Sequence, residues 1–168
     1  MNTELKIRLA KINDLPFIVD IYNQAIRSGK ATGDMDEFNV EERVAWFRKF
    51  CDYDFPIYVA EINRKVLGYA TLSPYRPGRK AMYKVAELSF YVDYSYHGQG
   101  IGSTLIEYVI SDCERIGKEN LLAILLDINE SSIGLLKKFG FNEWGHFPNI
   151  IDFEGLICGH YIFGLKIK

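Results

Sequence analysis

The sequence predicts an α+β fold built on a mixed β-sheet, and three stretches carry that prediction. The first runs from Phe90 to Ile110: an aromatic, apolar run passes into Gly98-Gln99-Gly100-Ile101-Gly102 and then into an amphipathic segment, which reads as strand, loop and helix. The second is residues 57–62 and 65–72, two runs rich in β-branched and aromatic residues with only Asn63-Arg64 between them, the spacing of a two-residue hairpin. The third is residues 121–126, a continuous apolar run of strand length, as expected of a strand buried on both faces.

The other elements follow in order. Residues 5–9 alternate with charged side chains and read as an opening strand. Asn13-Asp14-Leu15-Pro16 is a helix start, with a capping side chain and proline in the first turn. Phe17, Ile18, Ile21, Tyr22 and Ala25 then recur at helical spacing until Ser28-Gly29-Lys30. Asn39, followed by Glu41 and Glu42, starts a second helix with Val44, Phe47 and Phe50 on one face. Residues 73–80 form a loop rich in Pro, Gly and Arg, and residues 85–92 form a strand that mixes Glu87 and Ser89 with aromatics. A helix is expected from about Ser103 to Ile116, and another over 130–139, ended by Gly140. Residues 141–147 and 159–167 read as closing strands. The expected order is β-α-α-β-β-β-α-β-α-β-β, with no repeat, low-complexity tract or linker, so residues 1–168 are expected to form a single domain.

Composition removes several function classes. Apolar residues make up 48% and charged residues 25%, an ordinary globular balance. A net charge of −2 argues against nucleic acid as a partner, because duplex binding relies on a basic face. The three cysteines, at 51, 113 and 158, lack C-x-x-C spacing, which excludes a disulfide framework and a cysteine zinc site. His97, His146 and His160 are too scattered for a helical metal pair, so no metal is expected. No run approaches the length needed to cross a bilayer, and the N-terminus carries no apolar signal core. The expected setting is the cytoplasm, with no membrane partner.

The glycine loop is the chemical focus. Glycines at 98, 100 and 102 permit positive φ and close backbone approach. Such a loop, opening a helix, aims free N–H groups and the positive end of the helix dipole at one spot, which suits a phosphate. Neither familiar phosphate-loop pattern fits, since no Gly-Lys-Ser/Thr follows and no G-x-G-x-x-G is present. Arg76, Arg79, Lys80 and Lys84 form a local basic cluster, readable either as a solvated loop or as a subsite for an acidic small molecule.

Taken together the chain resembles the GNAT superfamily of acetyl-CoA-dependent N-acetyltransferases, in its phosphinothricin (methionine sulfoximine) acetyltransferase-like branch. The blocks that carry the resemblance are Ile21-Tyr22-Asn23, residues 41–47, residues 66–70, residues 87–92, residues 98–102, residues 129–133 and Lys138-Phe139-Gly140-Phe141. The resemblance implies a mixed, mostly antiparallel central sheet that splays at the cofactor site and is flanked by helices. It implies that Tyr91 and Val92 meet the pantetheine arm as an added strand does, and that His97, Gly98, Gln99, Gly100, Ile101 and Gly102 cradle the pyrophosphate, with the Ser103 hydroxyl nearby. Asn129 matches a residue that hydrogen-bonds pantetheine, and Ser132 sits at the same helix start; Asn129 also reads as an ordinary N-cap. The family carries Gln or Arg where this chain has His97, which alters one side-chain contact and leaves the backbone contacts intact.

Acetyl transfer to an amine needs a base and stabilisation of a developing oxyanion. Glu87 lies in an otherwise apolar strand, where burial raises a carboxyl pKa towards neutrality; the plain alternative is a strand-edge glutamate facing solvent. The resemblance assigns Glu87 as the catalytic base and a backbone N–H near Val92 as the oxyanion donor. Many relatives have a tyrosine acid where this chain has Leu136, leaving Tyr91, Tyr161 and His160 as substitutes unless the thiolate leaves unaided. The loop bearing Arg76, Arg79 and Lys84 corresponds to the acceptor loop of the resembling branch, and an arginine fork suits a carboxylate or phosphinate. Gly33 stands where the family often has phenylalanine, which implies a wider acceptor pocket. The expected function is acetyl transfer to the primary amine of a small amino-acid-like molecule, phosphinothricin or methionine sulfoximine included, by a homodimer. The alternatives are a protein N-terminal, lysine or polyamine acetyltransferase, and a non-catalytic acyl-CoA sensor.

Overall fold

In the computed structural model, which describes residues 4–167, the opening strand β1 (Lys6–Leu9) leads through a 3-10 turn into α1 (Leu15–Ser28). Pro16 lies in the first turn of that helix, and Gly29 ends it at φ 67°, in the left-handed region glycine tolerates. Asp14 does not cap α1 as its position suggests. Its carboxylate instead accepts from the Lys11 N–H at 2.7 Å and from Arg8 at 2.7 and 2.9 Å, tying β1 to the helix start. Phe17 also departs from the expected buried face, at 40% exposure, while Ile18, Ile21 and Ala25 are buried as expected. In α2 (Val40–Phe47) the predicted start forms a reciprocal box. Asn39 Oδ1 accepts from Glu42 N–H at 2.9 Å, and Glu42 Oε2 accepts from Asn39 N–H at 2.8 Å.

Strands β2 (Ile57–Ile62) and β3 (Lys65–Pro74) are joined at Asn63 and Arg64, whose φ values of 50° and 66° match the twist of a type I′ turn. After β3 come β4 (Val85–Val92), α3 (Ile101–Asp112), β5 (Asn120–Leu126), α4 (Glu130–Lys138), β6 (Asn142–Phe153) and β7 (Leu156–Lys166). The element order is the one predicted. Helix α3 starts two residues before Ser103 because Gly100, at φ 82°, serves as an N-cap with no side chain to announce it.

The strands form a seven-stranded sheet in the order β1-β2-β3-β4-β5-β7-β6. Every neighbouring pair is antiparallel except β4–β5. Helices α1 and α2 cover one face over a cluster that includes Ile18, Ile21, Val59 and Tyr69. On the other face α3 and α4 bury Leu105, Val109 and Leu136 against Leu88, Leu121 and Phe163. Burying such a side chain contributes about 1.5–3 kcal/mol each, so the two layers hold the sheet from both sides.

Two closing features differ from expectation. Strand β5 is not sealed on both faces: α1 packs on β3 and β4, leaving Ile124 36% exposed. Strands β6 and β7 are longer than predicted because register shifts between Glu143 and Gly145, and between Phe147 and Ile151, break the alternation that marks a strand in sequence.

Candidate active site

The β4–β5 ladder is short. Val85 pairs with Asn120, Ala86 with Leu121 and Glu87 with Leu122, and there the pairing ends although both strands run on. Beyond Glu87 the two strands diverge and a cleft of about 800 Å³ opens between them. It is lined on one side of the sheet by Ala25, Lys30 and Ala31, and on the other by residues of α3 and α4, so it passes through the sheet.

Backbone groups face this opening. The Asp93 N–H donates to the Leu67 carbonyl at 2.8 Å, which directs odd-numbered groups of β4 towards β3. Strand alternation then turns the peptide groups of Phe90 and Val92 to the β5 side, onto the open edge. The Val92 carbonyl is already taken by His97 Nε2 at 2.9 Å, and the His97 ring packs on Tyr94 with centroids 4.2 Å apart.

At the cleft mouth, Gly98 and Gly100 adopt φ 74° and 82°, and a Cβ at either would meet nothing within 4 Å. The first bond of the α3 ladder runs from Thr104 N–H to Gly100 C=O at 3.0 Å. The N–H groups of Ile101, Gly102 and Ser103 therefore precede it, and no side chain caps them. Opposite, Asn129 Oδ1 caps α4 by accepting from Ser132 N–H at 3.2 Å.

At the closed end, alternation along β4 puts Leu88, Phe90 and Val92 in the core under α3, and turns Glu87, Ser89 and Tyr91 towards α1. Glu87 is half-buried, one residue before Leu88, the first cleft-lining residue of β4. Burial pushes its carboxyl above the usual carboxylate range. Tyr91 packs edge-on against Tyr22 with ring centroids 5.0 Å apart. The Tyr22 hydroxyl contacts Thr32 Oγ1 at 2.8 Å and donates to the Asp34 carboxylate, fastening the segment after α1 beside the cleft. Burial and that carboxylate push the Tyr22 phenol up to about 12.

Comparison with known proteins decides the family. The model of the acetyltransferase (GNAT) family matches residues 17–141. The chain belongs to the GNAT family.

Its relatives include a phosphinothricin N-acetyltransferase of Alcaligenes faecalis, 36% identical over 140 residues, which are 83% of this chain and 71% of that one. The L-methionine sulfoximine/L-methionine sulfone acetyltransferase of Pseudomonas aeruginosa is 32% identical over 86% of this chain and 84% of its own. A GNAT phosphinothricin acetyltransferase from Sinorhizobium meliloti, solved in complex with AcCoA, superposes with a TM-score of 0.89 at 26% identity, covering 96% of this chain and 88% of that one. The fold is thus the GNAT fold, and the protein is an acyltransferase.

The cleft gathers most of the residues predicted to bind the cofactor, and Glu87 is not in its lining. Tyr91, Val92, His97, Gly98, Gly100, Ile101, Gly102, Ser103, Asn129 and Ser132 all line the cleft, whereas Gln99 is exposed on the loop and does not. Arg76, Arg79 and Lys84 lie outside the lining, on the segment leading into β4 beyond the closed end. Lys84 Nζ pairs with Glu119 at 2.6 Å, with both side chains exposed. Leu136 is fully buried. Sequence reasoning missed Lys30, Tyr94, Tyr96, Leu135 and Lys138 in the lining. Tyr94 and Tyr96 fall on the every-second apolar positions set by Phe90 and Val92, a signal that also reads as plain strand.

The residues present fit acetyl-CoA. An open strand edge can pair with an amide-bearing arm, and an uncapped helix N-terminus behind left-handed glycines suits a diphosphate. Among the described residues no cluster could hold a metal ion.

Proposed function

We propose that the protein is an acetyl-CoA-dependent N-acetyltransferase, residues 1–168 acting as one catalytic domain. Its acceptor is the primary amine of a small amino-acid-like molecule of the phosphinothricin or methionine sulfoximine type. One observation carries the reading: a half-buried carboxylate, Glu87, at the rung where β4 and β5 part. The acceptor class is supported by the names of relatives more than 30% identical over most of the chain.

When bound, acetyl-CoA supplies an acetyl group activated as a thioester. Glu87 accepts the proton of the acceptor amine at a carboxylate oxygen, and its raised pKa brings it closer to that task at neutral pH. The Val92 N–H, on the open edge, is the donor for the thioester carbonyl oxygen. The N–H groups from Gly98 to Ser103 hold the diphosphate, and Asn129 with Ser132 orients the pantetheine arm. Leu136 has no proton to give, and none is required of it, because a thiolate leaves readily. Arg76 and Arg79 hold no ion pair among the described residues, which frees their guanidinium groups for the acceptor's acidic end. Lys84 serves the same end once its exposed pair with Glu119 exchanges, a pair worth about 0–1 kcal/mol.

The active form is a homodimer in the cytoplasm. Trp144, Phe147, Ile150, Leu156 and Ile157, each at least 45% exposed on the β6–β7 hairpin, support self-association. Three free thiols accord with a reducing compartment, and no helix among the described residues is long and apolar enough to cross a membrane.

Thiol release measured with acetyl-CoA and a panel of amino acids, methionine sulfoximine included, tests the reading. Turnover confined to amino-acid-like amines is expected. Cofactor binding without turnover on any amine would identify a sensor instead.

A further inference from the structure

Lys118 is a cation inside the protein. Its side chain is fully buried in the lead-in to β5, with Nζ donating to Asp54 Oδ1 at 2.5 Å and to the Tyr83 carbonyl at 3.1 Å. The same Nζ lies 3.8 Å from the Phe55 ring centroid and 4.0 Å from that of Tyr83, and those rings meet edge-on at 6.3 Å. The Asp54 carboxylate also pushes the Tyr83 phenol up, so the same carboxylate acts on the ammonium and on the phenol. Three segments distant in sequence meet here: the turn before β2, the lead-in to β4 and the lead-in to β5.

Taking an ammonium out of water is costly unless it is paired and hydrogen-bonded. A carboxylate, a carbonyl and two ring faces offset that cost only while all three segments are closed on one another. The Lys84 carbonyl, next in the chain, accepts from both Glu119 N–H at 2.9 Å and Asn120 N–H at 3.2 Å. These contacts fix the chain just before Val85, at the closed end of the cleft, and the same segment carries Arg79 and Lys84.

We propose that Lys118 is a positioning residue for the acceptor side of the active site. It clasps residues 79–84 against the closed end of the cleft through Asp54 and Tyr83. This sets the acceptor-facing loop and the start of the strand that presents Glu87. The inference rests on the acetyl-transfer reading above. Lys118 touches no reacting atom; it acts through Tyr83 and its neighbours.

Lys118→Met keeps most of the apolar stem and removes the charge. It is expected to raise the acceptor KM about tenfold, since small misplacements of a positioned group weigh heavily on turnover. The acetyl-CoA Kd, set at the other end of the cleft, stays within about twofold. Tyr83→Leu is a milder companion, because Tyr83 is 55% exposed and its carbonyl is retained. It should raise the acceptor KM by a smaller factor, and the double variant by less than the product of the two. A lowered Tm with unchanged acceptor KM in both variants would overturn the inference while leaving the acetyl-transfer reading standing. Absence of turnover by the wild type on every amine would overturn that reading, and this inference with it.

Discussion

Glu87 and Leu122 form the last rung of the parallel ladder between β4 and β5. The backbone of Glu87 therefore stands where the sheet begins to open, paired at this rung and one residue short of the cleft lining, which starts on β4 at Leu88. Its partner across β3 is Ser73, so the antiparallel β3–β4 ladder continues past the point where the parallel one stops. A group fixed on one side and freed on the other is rigid without being sealed, which is what a positioned base needs.

Removing that carboxylate tests its role directly. Glu87→Gln is nearly isosteric and is expected to lower kcat by about 10²–10⁴-fold, the usual contribution of a positioned base. Acetyl-CoA affinity, measured by calorimetry, should stay within about twofold. Turnover equal to wild type would exclude Glu87 from the chemistry.

The same substitution has an opposite effect on stability. Burial raises the folded-state pKa of Glu87, so folding disfavours its ionised form relative to the unfolded chain. That contribution is present below the ordinary carboxylate pKa and is lost as pH rises through the folded value. Glu87→Gln should therefore match wild type in Tm near pH 4 and exceed it near pH 7.5. In step with this, wild-type kcat/KM should fall on the acid side with a midpoint above the usual carboxylate range. A Tm difference independent of pH would exclude burial as the cause.

Gly100 carries a separate prediction. At φ 82° it caps α3 from the left-handed region, where a side chain costs about 1 kcal/mol. The added methyl of Gly100→Ala meets no protein atom within 4 Å and so projects into space available to a ligand. Acetyl-CoA Kd is expected to rise at least about fivefold with a Tm loss of about 2–4 °C. Unchanged affinity would remove the loop from the diphosphate site.

Gly33 is different in kind. Its backbone is ordinary, and a Cβ there would meet nothing within 4 Å. Gly33→Phe should leave Tm within about 2 °C, as surface substitutions generally do. The acceptor KM should change severalfold between small and bulky amino acids, with acetyl-CoA Kd unaltered. Equal KM values across the acceptor panel in both proteins would exclude this segment from acceptor selection.

Legibility in the sequence tracked the range of the interaction. Elements governed by neighbours along the chain are readable: the Asn63-Arg64 turn, the helix start at Asn39, and β4 running into the glycine loop. The capping side chain expected in Asn13-Asp14 is not found at the N-cap of α1, because the Asp14 carboxylate is taken by Arg8 of β1. The start of α3 was hidden because glycine caps by conformation and leaves no side-chain mark. The clasp around Lys118 was invisible, since Asp54, Phe55 and Tyr83 converge on it only once three separate segments have folded. The cleft itself was legible only through resemblance: periodicity marks β4 and β5 as strands and cannot say that they part company after three rungs.

That brief suture divides the sheet into two antiparallel leaves, β1 to β4 and β5 to β7, stitched backbone to backbone by three residue pairs. A molecule that bonded to both lips of the gap would in effect extend the seam. Amide exchange should then slow together along Leu88–Val92 and Ala123–Leu126, on both lips at once, when the gap is filled. The stability gained should grow with ligand concentration by mass action. In this architecture the chain leaves its sheet unfinished at the gap, and a strand-like ligand arm would complete it.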